Sequence, residues 1–211
     1  QNEAAVADVN CEITIRHGND PAVEIRSAAL AANTQLLVIG RRLYPGATEV
    51  GPVAQRILAA APCAVLVVAP GSQLWSRRVL VAFDGSDAAR SATELAAQLA
   101  KPRQLPITLF SITDSSGQLP PEIEDAAQLS IAELKLDGLT GDLSGGNGNI
   151  AEGILKAARD TGADLIVLYR HTRGGLSRKL LGSVGDEVIR GAEVPVLLVG
   201  ETAQTGLDAA G

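Results

Sequence analysis

The chain has 211 residues, a formal net charge of −6, and is 46% apolar but only 2% aromatic. That length and composition suit one or two compact α/β units with cores of Ala, Val, Leu and Ile. The acidic balance argues against a general nucleic-acid or anionic-membrane surface, because such contacts rest on excess Lys and Arg. No apolar run approaches the roughly 18 residues needed to cross a bilayer, and no signal-peptide pattern is present, so a cytoplasmic protein is expected.

In chain order, residues from Gln1 read as the end of a helix, and an apolar strand is expected at once over Cys11–Arg16. Residues 51–68 (GPVAQRILAAAPCAVLVV) and the segment Gly71–Ser76 (GSQLWS) follow. The second is too short to let its flanks tumble separately, and Trp75 is expected at the contact between them. Ser86–Ala100 reads as a helix with Leu95, Ala96 and Leu99 on one face. Gly141–Asn149 (GDLSGGNGN) has the glycine density of a phosphate loop but no Lys-Ser/Thr, so a mobile connection is expected before a helix that begins near Asn149. Leu165–Leu168 is an unbroken apolar run of the kind a parallel strand covered on both faces requires, and Val196–Val199 is another. Between them Leu180, Leu181, Val184, Val188 and Ile189 recur at helical spacing. The tail, residues 201–211, is small and polar and is expected to be disordered.

Two blocks repeat. Residues 51–68 align without gaps on 182–199, and residues 21–40 align on 150–169, pairing Ile25 with Ile154, Leu36 with Leu165 and Val38 with Val167. The loop after Gly40 is two residues shorter than its counterpart, and Pro52 follows Gly51 where Ser183 follows Gly182, which removes a hydroxyl and a backbone donor. The first copy has no counterpart of residues 78–112, so residues 1–70 are not expected to fold alone, and an upstream piece of about half a unit is expected to belong to them.

The chemistry-bearing residues are few. Cys11 and Cys63 read as small core residues, and His17 and His171 have no Cys or carboxylate cluster for zinc. Ser86 lacks a nucleophile elbow and Ser183 an assignable base, so no catalysis is expected. Arg170, Arg173, Arg178 and Lys179 crowd one loop, with Arg41 aligned on Arg170; the cluster reads equally as a solvated surface or an anion site. Gly182 and Ser183 stand where a helix could offer N–H groups to an anion.

Residues 163–200 resemble the C-terminal half of a universal stress protein domain, whose nucleotide-binding members carry G-x-x-G, nine residues, then G-[ST]. Gly182 and Ser183 match the final pair, whereas Tyr169 and Thr172 stand at the first two glycine positions. Residues 78–86 (RVLVAFDGS) are similar to the family's first strand. The resemblance implies an open, parallel five-stranded sheet flanked by helices over 78–200, of the adenine nucleotide alpha hydrolase-like type. It stands in tandem with a partial copy over 1–70, joined by a linker at 71–77. It implies that Val196–Val199 pairs antiparallel with Ala64–Val68, and that the third and fourth strands of a domain are not neighbours.

By resemblance, Asp84 lies beside an adenine, the second strand, ending at Ile112, supplies an apolar wall, and Arg173, Gly182, Ser183 and Val184 complete a cofactor site. No metal or catalytic residue is implied. The function expected is that of a non-enzymatic stress-response or regulatory protein. It would act through an intramolecular domain pair or a homodimer, with binding of ATP or AMP weakened or lost. The alternative is an adenine-nucleotide sensing domain within a larger transporter or kinase.

Overall fold

The computed structural model describes residues 10–41, 50–69, 71–170 and 183–200. Four elements precede the connecting segment: α1 (Pro21–Ala31), β1 (Leu36–Gly40), α2 (Pro52–Ala60) and β2 (Ala64–Val68). The remainder are β3 (Val79–Ala82), α3 (Asp87–Ala100), a short 3-10 turn (Lys101–Arg103), β4 (Ile107–Ile112), α4 (Pro121–Leu136), β5 (Gly141–Gly146), α5 (Ile150–Thr161), β6 (Leu165–Arg170), α6 (Ser183–Gly191) and β7 (Val196–Gly200).

Helix starts follow the local chemistry. The side chain of Asp20 accepts from Ala22 N ahead of a Pro in the first turn of α1, Ser86 Oγ accepts from Ala89 N, and Asn149 Oδ1 accepts from Glu152 N. Each satisfies a donor the helix itself leaves orphaned. At the other end of α5, Gly162 turns the chain at φ +69°, a conformation that costs residues with a Cβ.

Among the described residues the seven strands form one sheet in the order β1-β2-β7-β6-β3-β4-β5. The five from β3 onward are mutually parallel, as the apolar runs and the resemblance imply. β1 and β2 form a second parallel pair, and β2 meets β7 antiparallel with Val65 opposite Leu198, Leu66 opposite Leu197 and Val67 opposite Val196. That is the junction expected between Ala64–Val68 and Val196–Val199.

Strand alternation divides the core in two. Leu165 and Val167 point to one face, under α3 and α4, with Ala92, Ala96, Ile107, Leu109 and Ile131. Ile166 and Leu168 point to the other, with Ile154 of α5, Val188 and Ile189 of α6, and Leu58 of α2. Trp75 packs half-buried against the first of these clusters.

Three expectations are corrected. Cys11–Arg16 forms no strand; residues 10–18 have no regular structure and are almost wholly exposed. Its counterpart in the second copy, the edge strand β5, pairs with β4 alone, and among the described residues the first copy has no counterpart of β4; an unpaired backbone stays in water, where its polar groups are solvated. Cys11 is accordingly exposed and only Cys63 is buried.

Gly141–Asn149 is not a mobile connection. Residues 141–146 are the edge strand β5, paired with β4 from Ile107 opposite Gly141 to Ile112 opposite Gly146. Its glycines answer to packing: a Cβ at Gly141 would stand 2.9 Å from Leu134 Cδ1, and one at Gly146 2.9 Å from Phe110 Cζ. The tail 201–211 lies outside the described residues.

Candidate functional site

Reading the sheet outward from β3, chain order runs one way through β4 and β5 and the other way through β6 and β7. Adjacent loops therefore leave in opposite directions at the carboxyl ends of β3 and β6, and ligands of open α/β sheets bind in the crevice this opens. Three of the expected site residues lie on elements that flank that point. Asp84 lies two residues beyond β3, Ile112 closes β4, and Val184 lies in the first turn of α6. Arg173 and Gly182 lie outside the described residues, and Ser183 opens α6.

Asp84 is exposed, and its Oδ1 accepts from Ser86 N at 3.0 Å and Ser86 Oγ at 2.5 Å. Gly85 between them takes φ +78°, which closes this small turn. Ser86 Oγ thus donates to Asp84 while capping α3, so the pair fixes the helix start. Ile112 and Val184 are half-buried against the face that carries α5 and α6. The Ile112 side chain lies against the bare backbone of Gly153, where an added Cβ would come within 3.2 Å of its Cδ1. Asp186 follows in α6; burial pushes its carboxyl above the usual range, with Arg190 pulling the other way.

Two residues that the sequence places beside a phosphate loop point elsewhere. Tyr169 lies within β6 and packs toward the α3 and α4 face. Arg170 is not a surface charge of the loop: it is buried, and its guanidinium donates from Nη1 to Leu58 O and from Nη2 to Ala61 O at 2.9 Å. The sequence signal for this was Arg41 on Arg170, a charge retained in both copies whereas the loops around it differ. Burial pushes the nearby Cys63 thiol up, with the Arg170 charge opposing.

A doubly wound α/β sheet whose strand order reverses between β3 and β6 defines the class of fold. Within that class, the universal stress protein family model matches residues 1–69 and 76–200, and the chain belongs to that family. A universal stress protein of Thermus aquaticus is 33% identical over 134 residues, covering 58% of this chain and 98% of the relative. Universal stress protein YxiE of Bacillus subtilis is 29% identical over 144 residues, covering 58% of this chain and 97% of the relative. Among solved structures, a universal stress protein from Archaeoglobus fulgidus shares the fold at a TM-score of 0.75 and 21% identity, covering 94% of this chain and 72% of that one. Another, solved in complex with cAMP, superposes at a TM-score of 0.50 with 24% identity, over 60% of this chain and 98% of that one. A stress-response role follows from membership of the family. No helix among the described residues is long and apolar enough to cross a membrane.

Proposed function

We propose that this chain serves the stress response as a non-enzymatic regulatory protein. It acts through the paired surfaces of residues 1–70 and 78–200, with nucleotide binding weakened or lost. The observation that carries the reading is the fate of the crevice's polar groups. Asp84 Oδ1 is engaged by Ser86, which caps α3, and Arg170 turns away onto the C-terminal carbonyls of α2. The first copy is a weaker candidate still: Gly51 caps α2 without a side chain and Pro52 withholds an N–H, so its role is structural.

A second reading, an adenine-nucleotide sensing domain of a larger protein, draws on the position of Asp84 and Ile112 at the carboxyl ends where strand order reverses. Titration calorimetry with ATP, AMP and cAMP decides between them. The leading reading expects no saturable heat at micromolar nucleotide. Micromolar binding at one site that Asp84→Ala abolishes would establish the sensor instead.

A further inference from the structure

Arg41 and Arg170 occupy aligned positions, one just past the end of β1 and the other the last residue of β6. Both are buried, at 8% and 6% exposure. Each reaches into the other repeat. Arg170 donates to Leu58 O and Ala61 O at the C-terminus of α2, and Arg41 donates from Nη1 to Ile189 O and to Arg190 O at 3.0 Å, and from Nη2 to Ala192 O at 3.0 Å, at the C-terminus of α6. In the gapless alignment of 51–68 on 182–199, Leu58 falls on Ile189 and Ala61 on Ala192. The two contacts are therefore one contact made twice, about a local two-fold.

The chemistry on each side is matched. The last carbonyls of a helix have no partner within it and carry the negative end of its dipole. A guanidinium offers a planar fork of donors with a permanent charge. Room is provided as well: Gly200 lies opposite Arg170 in the β6–β7 ladder, and a Cβ there would stand 2.5 Å from Arg170 Nη2.

The ladder between β2 and β7 is short, with three facing pairs. A slip of two residues would keep every side chain on its own face, so the hydrophobic pattern opposes it weakly. It would, however, translate one half by roughly 6.6 Å against the other. No hydrogen bond of either guanidinium survives such a shift.

We propose that Arg41 and Arg170 form a reciprocal clasp that selects this antiparallel pairing and its register. The partner the surface fits is a second unit of the same kind, with a strand-end arginine and an open helix C-terminus, here supplied within one chain. The proposal rests on the reading that the two halves act as a pair.

The test uses the full chain with a protease site inserted after Gly71, cleaved in the folded protein and followed by size-exclusion chromatography on dilution. Cleaved wild-type halves are expected to stay together, and Arg41→Ala or Arg170→Ala to weaken their association by about 10- to 100-fold each. Equal retention in the double variant overturns the clasp and leaves the pairing. Separation of the wild-type halves overturns the pairing itself, and the clasp with it. If circular dichroism shows that the alanine variants do not fold, Arg41→Lys and Arg170→Lys keep the charge but lose the fork. They are expected to separate on dilution more readily than wild type, and wild-type behaviour in both overturns the clasp.

Discussion

Asp164, just ahead of β6, holds the entry of β3. Its carboxylate accepts from Ser76 N at 2.7 Å, Arg77 N at 3.0 Å and Arg78 N at 3.1 Å, while its own N–H donates to Arg78 O at 3.0 Å. The Asp164 side chain is only 13% exposed, whereas that of Arg77, whose Nε lies 3.4 Å away, is largely in water. That ion pair contributes little, and the three backbone donors carry the effect. In Asp164→Ala the freed N–H groups are partly rehydrated, so each bond is taken at the low end of its range, about 1 kcal/mol, and the loss is about 3 kcal/mol. For a chain of this size that lowers Tm by about 6–12 °C, measured by circular dichroism at pH 7. Burial pushes the Asp164 carboxyl up, but the N–H groups of Ser76, Arg78 and Arg77 and the Arg77 side chain together bring it below the usual carboxylate value. A depressed folded pKa means that the unfolded chain takes up the proton first as pH falls. The stabilisation is therefore complete above the unfolded value of about 3.9 and is lost as pH drops through the lower folded value. Asp164→Asn, which cannot ionise, should flatten that acid limb. A Tm for Asp164→Ala within about 2 °C of wild type, on a scale of about 2–4 °C per kcal/mol, would refute the reasoning. So would an unchanged acid limb in Asp164→Asn.

The repeat supplies a sharper comparison. Val38 is 55% exposed and Val167, its aligned counterpart, 0%. Asp at position 38 should change stability by no more than about 0.5 kcal/mol in urea melts, whereas Asp at 167 should cost more than about 4 kcal/mol or prevent folding. Ser86→Ala removes the cap of α3 and should cost about 1 kcal/mol in the same assay; a loss several times larger would point to a role beyond capping. Gly146→Ala drives a methyl onto Phe110 and should cost about 1–3 kcal/mol, and a neutral result would mean that the ring can move aside. Leu58→Ala, wholly buried where α2 meets the larger half, should cost about 2–5 kcal/mol in a single transition. Two separate transitions would show that the halves do not share a core.

The sequence by itself determined whatever depends on near neighbours along the chain. Buried apolar runs such as Leu165–Leu168 can only be central parallel strands or core helices, and their length decides for strands. Ser86 and Asn149 stand where helices start because their oxygens satisfy orphaned donors three residues on. The alignment of the two repeats, together with the family resemblance, also made the β2–β7 junction legible. The tertiary structure decided what depends on residues distant in the chain. Cys11–Arg16 has the composition of a strand and lies outside the sheet because no strand edge meets it. Gly141–Gly146 has the composition of a loop and is a strand because β4 offers a complete ladder, and Leu134 and Phe110 lie where side chains at Gly141 and Gly146 would stand. Val38 and Val167 share one sequence context, and only the cover of α3 over β6 separates an exposed residue from a buried one. Arg170 looked like part of a basic loop until the fold brought the C-terminus of α2 beside it, over a hundred residues away in the chain. A guanidinium goes where unpaired carbonyls converge, and that convergence exists only once the two halves have met.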